Sequence, residues 1–402
     1  MAANFGDDGP HDPPVRSRGT SFLYDPFYRG LAAQALVAIA LVLVIGWFTS
    51  NTIDNLRRAN IASGFAFLWN RAGFDISQHL VSYTADDTYA RAFLVGLLNT
   101  LLVAVVGIVL ATLLGFVAGV GRLSKNALIS GIAAVYVETL RNIPVLLQLL
   151  FWYRAVLAVL PAPRQAIALP FGSYLSNRGL LLPHFVWGEG GMATFVALVV
   201  AILVVVFLAR WARRRQMATG QRFPTLLAGI AILVLLPLAV FVASGMPLSV
   251  EFPELKGFNF VGGFHILPEF LALVLGLTLY TATFIAEIVR AGILAVPRGQ
   301  TEAAYALGLR PGVTLRRVVI PQAMRVIIPP LTNQYLNLIK NSSLAVAVAY
   351  PDLVSVFAGT VLNQTGQAVE AIFLTMMVYL LISIVTSLFM NWFNQRVALV
   401  ER

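Results

Sequence analysis

Along this chain, long apolar runs alternate with short polar segments that carry arginine. Eight runs approach the ~20 residues that a helix needs to cross a hydrocarbon core: 31–48, 92–120, 129–160, 192–211, 223–243, 268–288, 328–358 and 371–393. The pattern predicts an all-α polytopic membrane protein with about eight transmembrane helices. Two runs are interrupted. Asn142–Pro144 breaks the third, because proline removes a backbone donor, and Pro329–Pro330 is read as opening the seventh. Residues 1–29 are polar and rich in Pro, Gly and Asp, and are read as a disordered cytoplasmic tail without a signal peptide. A polar, aromatic loop at 49–91 separates the first two runs and is expected along the outer surface.

Composition narrows this picture. Only 11% of residues are charged and 58% are hydrophobic, with a mean hydropathy of +0.81, against ~25% charged residues in soluble chains. Cysteine is absent, which excludes disulfides, thiol chemistry and cysteine-based metal sites. Histidines stand only at 11, 79, 184 and 265, without metal-ligand spacing. The net charge of +10 is a matter of topology rather than of nucleic-acid binding, since the arginines lie in short loops beside apolar runs. With the N-terminus inside, the inner loops hold Arg122 and Lys125, then Arg210, Arg213, Arg214, Arg215 and Arg222, then Arg290, Arg298, Arg310, Arg316, Arg317 and Arg325. The longer outer segments hold Arg57, Arg58, Arg71, Arg91, Arg164, Arg178 and Lys256. This bias places both termini and the 290–325 loop in the cytoplasm. The Arg210–Arg215 cluster is read first as part of that orientation signal, with an anionic lipid or an acidic partner as the alternative.

The loop TEAAYALGLRPGVTLRRVVIP, residues 301–321, has its own local logic. Thr301 is expected as a helix N-cap, with Glu302 next to the positive helix end. Ala303, Ala304 and Ala306 form helix without bulk. Gly308 suits a left-handed C-terminal cap, and Pro311 suits the first turn of the next element. A short helix with one small-residue face results, which another protein's backbone can approach closely. A plain connecting helix fits the same physics.

The pattern Glu302-Ala303-Ala304, Gly308 and Val318-Val319-Ile320-Pro321 resembles the EAA loop of bacterial binding-protein-dependent ABC importers. Val318 and Ile320 stand where that family's pattern has Ile and Leu. TATFIAEIVRAGILAVPRGQTEAAYALGL (281–309), LIKNSSLAVAV (338–348) and ETLRNIPVLLQLLFWY (138–153) are similar to segments of polar amino-acid permeases. The resemblance covers 92–396, a type I ABC permease domain interrupted by an insertion at 161–267 with two extra helices and preceded by an extra helix at 30–48. The extra segments look most like the Q-type permeases of general L-amino-acid transporters. The resemblance implies a non-ATPase subunit that works with a cytoplasmic ABC ATPase dimer, a second permease subunit and a periplasmic solute-binding protein in a bacterial inner membrane. It implies an L-amino-acid substrate, no cofactor of its own, and ATP bound by the partner; the chain carries no G-x-x-x-x-G-K-[ST] loop. It also makes the helix around Thr301–Gly308 the coupling helix, with Pro321 closing the motif.

Ionisable groups at membrane depth are functional candidates. Glu138 and Arg141 share a helix face beside the Asn142–Pro144 break, with Gln148 about a turn beyond. They either hold the kink or line a solute path. Glu287 and Arg290 repeat the spacing and are read as bracing the loop's exit from the membrane. Tyr280 and Thr281 offer hydroxyls higher in that run. Asn333, Asn337, Lys340 and Asn341 share one stripe by their i, i+4, i+7, i+8 spacing, continued by Ser342, and are expected to face the bundle centre. An amino acid needs donors for its carboxylate, which Lys340 and Arg141 supply, and acceptors for its ammonium, which Glu138, Asn337 and Asn341 supply. An ion-coupled secondary transporter titrating at Glu138 or Glu287 is the rival reading.

Overall fold

The computed structural model describes residues 26–58, 64–221 and 223–397. The expected tail up to residue 25 and Arg222 fall outside them. The chain divides into two compact units, residues 1–65 with 365–370 and residues 66–364 with 371–402. In the first, helix α1 (Pro26–Arg58) contains the run predicted at 31–48 and continues for ten residues into the segment expected to be loop. Its apolar side chains, among them Leu36, Val42 and Leu43, are exposed along its length, as lipid contact requires.

The larger unit is built on α2 (Tyr89–Gly121) and α7 (Pro268–Leu294), which pack closely against each other. Small residues make the close approach possible. A Cβ added at Gly115 would sit 2.6 Å from the Ile285 Cβ, and one at Gly119 would sit 2.6 Å from the Ala286 carbonyl oxygen. Ile285, Val289, Ala111 and Leu338 form one buried cluster along this seam.

The third run is bent by 105° between α3 (Ala127–Arg141) and α4 (Val145–Leu150), the latter continued by a π-helical turn, Phe151–Leu157. The insertion contains α5 (Gly191–Thr219) and α6 (Thr225–Ala243), which pack chiefly against each other. Short strands, absent from the sequence expectation, flank this pair. They are β1 (Ile167–Leu169), β2 (Ser173–Ser176), β3 (Gly179–Leu182) and β4 (His184–Trp187) before it, and β5 (Leu248–Glu251), β6 (Glu254–Lys256), β7 (Asn259–Val261) and β8 (Phe264–Ile266) after it. They form a four-stranded sheet, β1-β2-β3-β8, and two antiparallel pairs, β4-β5 and β6-β7. Strands of three or four residues fall below the length at which alternation is readable.

After α7 come α8 (Arg298–Ala306), α9 (Pro311–Thr314), a π-helical turn at Leu315–Val319 and α10 (Ile320–Asn341). Pro329 and Pro330 lie inside α10, so they do not open the seventh span. That span is not one helix. It breaks after α10 into a 3-10 turn, Ser342–Val348, and Ala349 is left-handed at φ 58°. A second π-helical stretch (Val354–Val361), α11 (Leu362–Thr365) and α12 (Ala368–Val397) complete the chain. Among the described residues six helices are long and apolar enough to cross a membrane, and the bent α3–α4 pair makes a seventh. The α10 segment, 22 residues long, does not meet that criterion.

The 66–88 segment is packed rather than draped. Phe67, Ile76 and Tyr83 join Val95 and Phe357 in a buried cluster. Tyr83 donates to the Phe74 carbonyl at 3.0 Å, and burial, with Asp87 and Asp75 nearby, pushes its hydroxyl up to about 12.

Candidate functional site

The loop at 301–321 folds as its residues dictate, with one change at the start. α8 begins three residues before Thr301, after Pro297, whose backbone (φ −58°, ψ 135°) sets the entry. Thr301 therefore lies inside the helix and does not cap it; a proline at the boundary fixes φ without needing a side-chain cap. The C-terminal end matches the expectation. Gly308 has φ +75°. The Leu309 N–H donates to the Ala304 carbonyl at 3.1 Å and the Gly308 N–H to the Tyr305 carbonyl at 2.9 Å, the paired bonds of a Schellman end. Ala304 is buried against the loop, whereas Glu302, Ala303 and Ala306 face outward beside Leu307, which is 81% exposed. Pro321 stands in the first turn of α10. The two helices that carry α8 meet tightly, since a Cβ added at Gly292 of α7 would run into the Ile327 side chain of α10.

Four of the predicted ionisable residues come together through a fifth that the sequence reading used only for orientation. Arg122, at the end of α2, donates from Nη1 to the Glu287 carboxylate at 2.6 Å and from Nη2 to Glu138 at 3.0 Å. Arg290 pairs with Glu287 at 2.6 Å, and Arg141 with Glu138 at 3.7 Å. One network thus ties α2, α3 and α7. The Arg122 side chain is its most enclosed member, 16% exposed, and Glu138 its most open, 51% exposed.

Gln148 is buried at the kink, where its Nε2 donates to the Leu140 and Ile143 carbonyls at 2.8 and 3.0 Å. It satisfies carbonyls that the break at Pro144 frees, so the geometry favours bracing over path lining. Asn142 adds a bond to the Glu138 carbonyl at 2.7 Å.

Thr281 is buried in α7, and the Tyr280 ring packs edge-on against Phe284. The stripe on α10 faces away from this chain's own core. Asn333, Asn337 and Lys340 are exposed and Asn341 is half-buried, while Leu331, Leu338 and Ile339 are buried on the opposite side. The expected orientation toward the centre of this chain's bundle is therefore corrected: the apolar side of α10 wins the packing against α7, and the polar side turns outward. Ser342 is buried and donates to the Ile339 carbonyl at 2.7 Å. Among the described residues no ion pair involves Lys340.

A buried polar knot was missed. Asp352 accepts from the Ser355 N–H at 2.8 Å and from the Tyr379 hydroxyl at 3.1 Å. Asn99 donates to the Pro351 carbonyl at 2.8 Å, and Thr100 accepts from the Leu353 N–H at 3.0 Å. These bonds satisfy the backbone opened where the seventh span breaks. Tyr350-Pro351-Asp352, a turn signature inside an apolar run, was the available signal.

Helices of this length and a bent pair define a polytopic membrane protein, with an exposed, sealed helix between two of its spans. The family model described as "binding-protein-dependent transport system inner membrane component" matches residues 193–399. The chain is 56% identical over 392 residues to the general L-amino acid transport system permease protein AapQ of Rhizobium johnstonii, covering 97% of this chain and 98% of that one. It is 52% identical to the putative amino-acid ABC transporter permease protein YhdX of Escherichia coli, over 96% of this chain and 98% of that one. It is 43% identical to the glutamate/glutamine/aspartate/asparagine transport system permease protein BztB of Rhodobacter capsulatus, over 97% and 99%. A solved structure, described as an amino acid ABC transporter with histidines, aligns with TM-score 0.46 and 21% identity over 77% of this chain and 95% of that one. The chain belongs to the amino-acid ABC transporter permeases, multi-pass proteins of the inner membrane.

Proposed function

We propose that this chain is the permease subunit of an ATP-driven importer that carries L-amino acids from periplasm to cytoplasm by alternating access. On this reading α8 is the coupling helix. A cytoplasmic ABC ATPase dimer binds and hydrolyses ATP, a periplasmic protein delivers the solute, and this chain, which adds no cofactor, pairs with a second permease. Both termini and the 290–325 loop are cytoplasmic. The permease domain is 92–396, with 161–267 inserted.

The observation that carries the reading is α8 itself. It is a short helix with a sealed end and an outward face of Glu302, Ala303, Ala306 and Leu307. It hangs between two spans locked together at Gly292 and Ile327. A push on such an element moves α7 and α10 as one body, the kind of two-state motion that alternating access needs. The Arg122 network would carry that motion to α3 and its kink. The outward stripe of Asn337, Lys340 and Asn341 would line the path against the second permease, with Tyr280, Thr281 and Ser342 behind it. The ion-coupled alternative gains nothing from the geometry, since Glu138 and Glu287 are both held by arginines.

Because the chain has no cysteine, single cysteines at 301–308 report cleanly. In the assembled, active complex we expect Glu302→Cys, Ala303→Cys and Ala306→Cys to crosslink to the ATPase, and Ala304→Cys, which is buried, not to. Absence of any crosslink along α8 would remove the coupling role. Uptake that persists without the ATPase and collapses with an uncoupler would replace the whole reading.

A further inference from the structure

The seventh span does not pack into one body. Its residues enter three separate buried clusters in chain order. Ala323, Ile327 and Leu338 pack with Ala282 and Ile285 of α7. Ala345, Val348 and Tyr350 pack with Leu149 of α4 and Leu273 of α7. Leu353, Val356 and Phe357 pack with Phe67, Ile76 and Tyr83 of the 66–88 segment. The second and third groups meet at Ala349–Pro351. Ala349 is held at φ 58°, a left-handed conformation that is costly for an L residue and persists only where the surroundings enforce it. Residues 350–352 are not helical, and Pro351 offers no backbone donor.

The enforcing surroundings are one face of α2. Gly96, Asn99, Thr100 and Val103 follow i, i+3, i+4, i+7 spacing, and all four are buried. A Cβ added at Gly96 would sit 3.0 Å from the Leu353 Cα, so the two backbones approach closely. Thr100 Oγ1 accepts from the Leu353 N–H at 3.0 Å, and the Tyr350 hydroxyl donates to the Asn99 carbonyl at 3.4 Å. The Asn99 side chain directs its amide to two different elements. Nδ2 donates to the Pro351 carbonyl at 2.8 Å and to the Gln78 carbonyl at 2.8 Å. Both partners are acceptors, so only the NH2 side of the amide fits between them. Satisfying the break takes one of these bonds. The other ties the break to a segment 21 residues earlier than Asn99 in the chain.

We infer that Ala349–Pro351 is a hinge in the seventh span, and that Asn99 is the positioning residue that latches it by joining Pro351 to the 66–88 segment. Hinges are short stretches at element ends that absorb backbone change between packed bodies. On one side α10 is committed to α7; on the other, Leu353–Val361 is committed to the 66–88 segment. α2 reaches both, through Ala111 in the first cluster and Val95 in the last. Bending at Ala349–Pro351 must therefore shift the Asn99 bonds, and Asn99 sets how readily the hinge opens. Use of the hinge in transport rests on the proposed function; the latch itself does not.

The test is hydrogen exchange, read by mass spectrometry on the assembled complex, in peptides covering residues 72–82, 346–357 and 281–289. Asn99→Leu keeps the volume and removes both side-chain bonds. We expect exchange at least about tenfold faster in the first two peptides and unchanged in the third. Thr100→Val, which removes only the bond to Leu353, should speed 346–357 alone. Asn99→Ser adds no bulk and should act like Asn99→Leu, so it decides the matter where the leucine variant does not assemble. Faster exchange in 281–289 as well would make Asn99 a general packing residue and overturn the latch. Release of only one of the two joined peptides by the Asn99 variants, or of both by Thr100→Val, would also overturn it. In reconstituted vesicles Asn99→Leu should lose at least about tenfold in uptake while ATP hydrolysis by the partner continues. Parent-like uptake with both peptides released would show that transport does not use the hinge. Uptake by the parent without the ATPase would sink the functional reading, and the exchange result would still decide the latch.

Discussion

Gly308 shows how one residue sets an element's end. Its φ of +75° costs an L side chain ~1–2 kcal/mol, and more for a β-branched one. Nothing lies within 4 Å of an added Cβ, so Gly308→Val strains only the backbone and meets no neighbour in this chain. Reconstituted uptake should fall at least about tenfold while the thermal melt of the membrane core stays unchanged. Gly308→Asn should be milder, since asparagine tolerates that conformation. Wild-type uptake by the valine variant would show that the sealed end is not required. At the same scale Arg122 changes meaning. Its position in a short loop marked it as an orientation charge, yet its guanidinium bridges two carboxylates from other helices. Sequence spacing reveals pairs on one helix, as at Glu287 and Arg290, but not a partner that arrives from elsewhere in the chain.

At the scale of elements, the α2–α7 seam is the most demanding contact. Gly119→Leu would force its Cβ to within 2.6 Å of the Ala286 carbonyl and 2.9 Å of the Val289 Cβ. With no room to yield on either side, it should cost ~3 kcal/mol or more, seen as a lowered thermal melt and reduced yield. Gly131→Leu on α3 is the control, because nothing lies within 4 Å of an added Cβ there, and it should melt like the parent. A parent-like melt for Gly119→Leu would mean that the seam can open without loss. The same seam explains why α10 presents its polar stripe outward. With Ile327 and Leu338 committed to it, Asn333, Asn337 and Lys340 have only the opposite side.

For the whole molecule, that outward stripe implies an incomplete object. A lysine and asparagines on an exposed helical face are costly against lipid, and a second permease is the occupant our functional reading supplies. In the assembled complex Asn337→Cys should form a crosslink to a cysteine on the partner permease, while Ile132→Cys, exposed on α3 among apolar neighbours, should not. Labelling of Asn337→Cys by a lipid-soluble reagent, without any subunit crosslink, would place the stripe against lipid instead.

The sequence by itself determined most of the apolar helices, though not where the first and seventh begin and end, together with the break at Asn142–Pro144, the left-handed Gly308 and the family. The helices, the break and Gly308 follow from covalent geometry or from hydropathy over neighbouring residues, which are local properties; the family follows from the resemblance of the 301–321 pattern and its flanking segments. Tertiary structure decided what depends on contacts between distant segments. It moved the start of α8 to Arg298, enclosed Pro329 and Pro330 within α10, and paired three- and four-residue strands across an insertion whose ends lie far apart in sequence. It joined Glu138 to Glu287 through Arg122 and turned the Asn337–Lys340 stripe away from the core. A helical pattern states which residues share a face; only packing against the other helices decides where that face points.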